Sequence, residues 1–201
     1  MSRLIAIALL IGCLAALAPA QSRIEFGVHA AGDRDAGYKD QAVGLSGRFL
    51  FRFGSMALDG AAEYTFHAPK VGPHAPDGKT INTRFLLRRY FFDNVYVVAG
   101  VDISKLSSVL LDTTATSGAT GIGIEIKNLR LQAIYEPPDF TSGQSLSRYR
   151  IEGDYLIHQK LIHFIDYISI RPEATLVRFD RGSNTLTAER VGITISIGRF
   201  F

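Results

Sequence analysis

Five histidines, one cysteine and nineteen acidic side chains are the groups from which a reactive or ligand-binding site would be built. Zinc needs three or four nitrogen, sulfur or oxygen donors converging on one point, and His29, His67 and His74 lack ligand spacing. Cys13 lies in the apolar run 4–17, so no thiol joins them from the remainder of the chain. His74, beside Pro73 and Pro76, reads as a solvated loop residue. Gly44-Leu45-Ser46-Gly47 is not a nucleophile elbow, because no strand-to-helix turn would lift Ser46 out of its alternating segment. Gly118-Ala119-Thr120-Gly121-Ile122-Gly123 has the glycine content of a phosphate-binding run but neither its order nor a following helix. Gly121 and Gly123 read instead as space for a bulky neighbour. The expectation is no catalytic residue, no metal and no cofactor.

The remaining chemistry is ionic, and its spacing dictates the elements that carry it. Over residues 22–31 the apolar Ile24, Phe26, Val28 and Ala30 interleave with Arg23, Glu25, Gly27 and His29, which makes a strand with one oily and one polar face. Residues 42–53 oppose Val43, Leu45, Phe49, Phe51 and Phe53 to Gly44, Ser46, Arg48 and Arg52; residues 58–67 oppose Tyr64 and Phe66 to Asp59, Glu63 and His67. Further strands are expected over 81–92, 95–104, 118–127, 129–136, 147–158, about 168–178 and 188–201, giving ten, with eight as the alternative count. After Gln21 no apolar stretch reaches the roughly 20 residues of a membrane-crossing helix. Segment 154–167 is the least regular: Leu156 and Ile157 are apolar in succession, and Leu161, Ile165 and Ile168 also suit a short helix. It is read as a strand end plus a turn over about 159–167. Pro172 has no N–H to give a ladder and is expected to mark a bulge.

Residues 1–20 combine Arg3, the apolar run and Ala18-Pro19-Ala20 before Gln21, as a secretory signal peptide does. Its removal leaves residues 21–201 without a cysteine, hence without a disulfide. Leu10-Ile11-Gly12-Cys13 also resembles a lipobox, the alternative being that Cys13 is an ordinary residue of the apolar run. At the other end Val191, Ile193, Ile195 and Ile197 alternate with Gly192, Thr194, Ser196 and Gly198, and the chain stops on Phe200-Phe201. This strand resembles the terminal strand of small bacterial outer-membrane β-barrels, the compact opacity-type barrels among them. The resemblance implies an all-β, antiparallel up-and-down transmembrane barrel in the bacterial outer membrane, in contact with its lipid. It also implies recognition of the last strand, through Phe201, by the barrel-assembly machinery. Arg199 departs from the family pattern, which has an apolar or aromatic residue there.

Two further features bear on that fold. Expected short turns at 54–57, 93–94, 128 and about 159–167 alternate with longer polar loops at 32–41, 68–80, 105–117, 137–146 and 179–187. Outer-membrane barrels alternate short periplasmic turns with longer external loops and put both termini on the periplasmic side. Aromatic girdles are expected at the two membrane interfaces: Phe26, Phe51, Phe53, Phe91, Phe92, Tyr96 and Phe201 at one, and Tyr64, Phe66, Tyr135, Tyr149 and Phe179 at the other. Strand propensity alone also favours aromatic residues. Period two shows two faces without saying which is outside, so a soluble lipocalin-like barrel stays an alternative, separated from this one by the girdles, the loops and Phe201.

With the apolar face outward, parity sends inward the bases Arg23, Arg48, Arg52, Arg84, Arg88, Lys127, Arg130, Arg148, Arg150, Arg171 and Arg190. The acids Glu25, Asp59, Glu63, Asp102, Glu125, Glu136, Glu152, Asp154 and Glu173 meet them there. Buried charge needs a partner, and a barrel this narrow has little room beyond its side chains. A salt-bridged plug is therefore expected. Leu50, Leu86, Val98, Ile134 and Leu156 also point inward by parity, and Arg89, Arg178 and Glu189 outward, where long side chains snorkel. The function that follows is a non-enzymatic barrel, structural or binding surfaces through its external loops, with Tyr38, residues 69–76 and Phe140 as loop features. No nucleic-acid partner is expected of a chain so close to neutrality, formally +3. The alternatives are a narrow porin-like channel, and a membrane-embedded hydrolase that would bring together His29, His67 and Asp102.

Overall fold

The computed structural model describes residues 22–34, 39–69, 78–91, 94–108, 112–138, 146–162, 164–181 and 184–201. They form ten strands: β1 (Arg23–Arg34), β2 (Lys39–Phe53), β3 (Met56–Pro69), β4 (Gly78–Phe91), β5 (Val95–Ser108), β6 (Asp112–Ile126), β7 (Leu129–Glu136), β8 (Leu146–Ile162), β9 (Ile165–Arg181) and β10 (Asn184–Phe200). Each pairs antiparallel with its neighbours in the chain, and β10 pairs with β1, so the sheet closes on itself. Closure leaves no strand edge with unpaired N–H and C=O groups, the condition for backbone to sit in hydrocarbon. Residues 1–20, with Cys13, lie outside the described residues, as do Tyr38, Pro73, His74, Pro76 and Phe140.

The two faces are inverted relative to a water-soluble barrel. Phe26, Val28, Leu45, Ile122, Ile151 and Val191 all stand more than half exposed, whereas Arg23, Glu25, Arg48, Asp59, Arg88 and Asp154 on the opposite face are almost fully buried. Soluble proteins bury apolar side chains and leave charge outside. Arg89, Arg178 and Glu189 are exposed, as parity requires, and Leu50, Leu86, Val98 and Ile134 are buried inside; Leu156 is half-buried.

The strands outrun their side-chain pattern. β8, β9 and β10 have 17 residues each, against the roughly 9–11 that cross a bilayer. The expected loops shrink accordingly, since β1 and β2 stay in register as far as Arg34 opposite Lys39. Alternation of side chains records a boundary between oil and water, but the ladder is a backbone interaction and continues where both faces are wet. Within 154–167, residues 154–162 and 165–167 are likewise strand, since β8 reaches Ile162 and β9 starts at Ile165. The register shift lies between His158 and Ile162 and not at Pro172. Pro172 faces Ile193 of β10 in register. On its β8 side the pairing lapses at Gly153 and Asp154 and resumes unshifted. A Cβ on residue 153 would sit 3.2 Å from the proline ring, so Gly153 makes the room that a bulge would otherwise provide.

Aromatic side chains gather at both ends. Phe53, Phe91, Tyr155, Phe164 and Phe201 are exposed at the end carrying the short turns. At the other end Tyr64 and Phe66 pack edge to face at 4.7 Å and Tyr135 lies 4.9 Å from Tyr149. Tyr96 does not join the girdle: it is fully buried and faces inward, opposite Gly123. Phe51 is only 7% exposed, covered by its neighbours, with Phe49 at 5.3 Å. Phe92 and the side chain of Phe179 lie outside the described residues. Lys127, expected inside, sits exposed in the β6–β7 turn with a left-handed φ of 50°, because a turn interrupts the parity of the strand before it.

Tyr96 and Tyr167 each lie over a glycine on the paired strand, Gly123 and Gly198, where the ring occupies the space of the missing side chain. A Cβ on residue 123 would fall 2.2 Å from the Tyr96 ring. The Gly123→Val substitution is therefore expected to cost about 1–3 kcal/mol through overpacking. Urea unfolding of the barrel in detergent measures it, and Gly123→Val with Tyr96→Ala should cost less than Tyr96→Ala plus Gly123→Val taken separately.

Candidate functional site: the charged lumen

The inward faces of adjacent strands set the ion pairs. Asp59 on β3 receives two hydrogen bonds from Arg48 on β2, from Nε at 2.8 Å and Nη2 at 2.7 Å, and pairs with Arg88 on β4. The fork of one guanidinium thus grips a carboxylate that a second guanidinium also neutralises. Arg48 carries the network across the barrel, its Nη1 lying 3.6 Å from Asp154 on β8 and 3.9 Å from Glu25 on β1. Asp154 also pairs with Arg23, lies 3.3 Å from Arg130 and accepts a hydrogen bond from Ser169 at 2.8 Å. Arg171 pairs with Glu25.

A second centre forms on β4, β7 and β8. Both terminal nitrogens of Arg84 donate to Glu152, which also accepts from Gln132 at 2.6 Å and lies 3.5 Å from Arg150. Towards the loop end, Arg148 and Arg150 share Asp102 and Glu136 at 3.3–3.8 Å. Ser104 donates to Asp102 at 3.0 Å. Towards the turn end, Glu125 lies 3.4 Å from Arg130 and accepts from the Tyr90 hydroxyl at 2.9 Å. Arg52 stacks over Tyr90 at 4.3 Å and Arg88 over Tyr96 at 4.9 Å, replacing water with an aromatic face. Tyr90 and Tyr96 also close a small apolar cluster with Leu50, Ala57, Leu86, Val98, Ala119 and Ile134.

The structure gathers Arg23, Glu25, Arg48, Arg84, Arg88, Asp102, Glu125, Arg130, Glu136, Arg148, Arg150, Glu152, Asp154 and Arg171 into ion pairs. Arg52 enters by stacking on Tyr90. Glu173 lies 3.9 Å from His29 Nε2. Glu63 faces inward, half-buried. Tyr90, Tyr96, Tyr167, Gln132 and Ser169 are lumenal residues that reading the sequence for charge passes over; their parity with Arg88, Val98, Arg171 and Arg130 was the available signal.

His29, His67 and Asp102 have separate partners. His29 engages Thr194 at 3.0 Å through Nδ1 and Arg190 at 3.4 Å through Nε2, whereas His67 meets Thr80 at 2.8 Å. Asp102 is held by Ser104 and the two arginines. Among the described residues no group of three or more His, Cys, Asp or Glu is placed to hold a metal. At the closing seam Phe201 N–H donates to the Ser22 carbonyl at 2.9 Å, which extends the β1–β10 pairing, and on its other side β10 is tied to β9 by Phe200 N–H donating to the Asp166 carboxylate at 3.0 Å.

No protein-family model matches the chain, and no curated protein matches it in sequence. In fold it is similar to Neisserial surface protein A, with 10% identity over 90% of this chain and 97% of that one at a TM-score of 0.44. It is similar also to Ail, the attachment invasion locus protein of Yersinia pestis, with 11% identity, 90% and 99% coverage and a TM-score of 0.39. The outer membrane protease OmpT from Escherichia coli has 6% identity, 90% and 97% coverage and a TM-score of 0.45. What the chain has in common with these bacterial surface and outer-membrane proteins is the closed antiparallel barrel.

Proposed function

We propose that the chain is an exported, non-enzymatic integral outer-membrane barrel, closed to passage by its ion network, that serves the membrane structurally or meets surfaces and ligands through its external loops. The observation that carries this reading is the inversion of the two faces: oil outside, and a connected set of arginines and carboxylates inside. Charge of this kind is tolerable in a bilayer only when it is turned inward and paired. Residues 1–20 act as the signal peptide, and the final strand with Phe201 is the part offered to the barrel-assembly machinery. Arg88 and Tyr96, both fully buried, stack on each other inside the lumen from the adjacent strands β4 and β5 and oppose the channel reading.

Membrane fractionation combined with heat-modifiability on a gel tests the location, and recovery of the processed chain in the soluble periplasm alone overturns it. Planar-bilayer recording tests the plug. The wild-type barrel is expected to be silent and Arg88→Ser/Tyr96→Ser to give discrete openings; steady wild-type conductance would restore the channel. Exchange of the external loops without change in any surface-binding phenotype removes the display role and leaves the structural one.

A further inference from the structure

The apolar outer face of the barrel is not evenly covered. Where β1, β2, β3 and β10 run side by side it is indented by a depression of about 530 Å³, walled by Phe66 on one side and by Ile193 and Ile195 on the other. The register explains the hollow. Ala30, the smallest outward side chain of its row, stands between Val43 on β2 and Ile193 on β10, and Phe66 faces Val43 from β3. The floor is backbone, since Gly44 has no side chain and that of His29 is buried inside the barrel. Its volume lies within the roughly 300–1,000 Å³ of pockets that hold small molecules.

One strand beyond Phe66 the outer face becomes basic. Lys79 on β4 stands directly opposite Phe66, and Lys105 on β5 stands opposite Ile81. The two lysines are thus diagonal neighbours on paired strands, a relation that sets side chains about 7–8 Å apart at their base. Both are exposed and share the outer face with Ile81, Phe85 and Ile103, whereas Arg84 and Asp102 are buried on the inner one. Phe66 packs on Tyr64 in the loop-end girdle, which places Lys79 beside it at the level of the headgroups. There a lysine lays its stem on apolar surface and keeps its ammonium group in water. On β6 the ladder sets Asp112 opposite Ser107, and even counting that acid the patch keeps a positive balance.

We propose that the depression and the lysine pair form one site for a phosphate-bearing lipid of the loop-end leaflet, with an acyl chain in the depression and the phosphate on Lys79 and Lys105. The site rests on the membrane reading of the barrel. In hydrocarbon an unfilled hollow forfeits the dispersion contacts of its walls, and the occupants at hand are acyl chains or another apolar surface. Charge selects between them. A phosphate brings negative charge and acceptor oxygens to two ammonium groups with three N–H donors each, whereas an apolar protein surface is indifferent to them. The groove runs from the girdle at Phe66 towards Leu45, Val28 and Ile195, the direction an acyl chain takes from its headgroup. The lumenal plug lies on the other face of the sheet, so the site does not depend on conduction.

The test uses the full processed barrel, refolded in neutral detergent, with native mass spectrometry and thermal melting. Its probes are dimyristoyl phosphatidic acid, dimyristoylglycerol, which has the same tails without phosphate, and inorganic phosphate, which has no tails. Phosphatidic acid is expected to stay bound and to raise the melting temperature, and the other two to do neither. Lys79→Gln with Lys105→Gln is expected to weaken binding about tenfold, and Ala30→Phe, which fills the depression, to weaken it independently. If one of these variants does not fold, the other decides. Equal binding of dimyristoylglycerol, an equal effect of inorganic phosphate, full affinity in the folded variants, or a dimer that Ala30→Phe disperses overturns the proposal. Heat-modifiability of the same samples without added lipid reports the barrel separately, so failure of the site is distinguishable from failure of the membrane reading.

Discussion

Asp59→Ala is expected to lower the unfolding free energy of the barrel by about 3–5 kcal/mol. Asp59 is the carboxylate on which Arg48 and Arg88 converge, and all three are at least 98% buried by side chain. Removing it leaves two guanidinium groups in a confined space with one counter-charge fewer, and the cost is mainly theirs. Urea titration in detergent micelles, followed by tryptophan-free probes such as tyrosine fluorescence or circular dichroism, gives the number; the chain contains no tryptophan. Asp59→Ala combined with Arg88→Met should recover part of the loss, because it removes the stranded charge. A loss under about 1 kcal/mol, the value of an exposed pair, would mean that the lumen is wet enough to screen its charges.

Ile122→Arg is expected to destabilise the inserted barrel by about 2–4 kcal/mol, as arginine does on a lipid-facing site near the bilayer midplane. Ile122 stands 64% exposed on β6, and its neighbours across the ladder are Val97 and Ala133. Its exposure makes the experiment discriminating. In a soluble protein a charged residue at so open a position changes stability by a few tenths of a kcal/mol, whereas hydrocarbon penalises it heavily. Equilibrium unfolding from lipid vesicles, compared with detergent, separates the two outcomes. Indifference in vesicles would argue that this face does not meet lipid.

The inward set was legible because period two places Arg48, Arg52, Asp59 and Glu63 on one side of their strands whatever the register. Their pairing was not. Arg23 meets Asp154 and Arg171 meets Glu25 across a closed barrel, and no local pattern reveals which distant strands closure brings face to face. Tyr96 was misplaced because its position near a strand end suggests a girdle; the ring belongs inside by parity with Val98 and Asp102, and its seat on Gly123 depends on the β5–β6 register. Lys127 was misplaced for the reverse reason, since counting by twos fails once the chain enters the turn. Strand ends were the least legible, because side-chain alternation fades outside the membrane while backbone pairing continues.

The sequence separation within the ion network constrains the order of folding. Arg23 and Asp154 are 131 residues apart, and Arg171 and Glu25 are 146 apart. Partners so remote meet late, after the intervening chain has been ordered. Until β1 meets β10, Arg23, Glu25 and Arg171 lack these partners, and they cannot be surrendered one strand at a time to hydrocarbon. Closure and neutralisation are therefore one event. An unclosed intermediate must keep its concave side hydrated, and a substitution in the plug should slow the final step of assembly more than the pairing of the first hairpins.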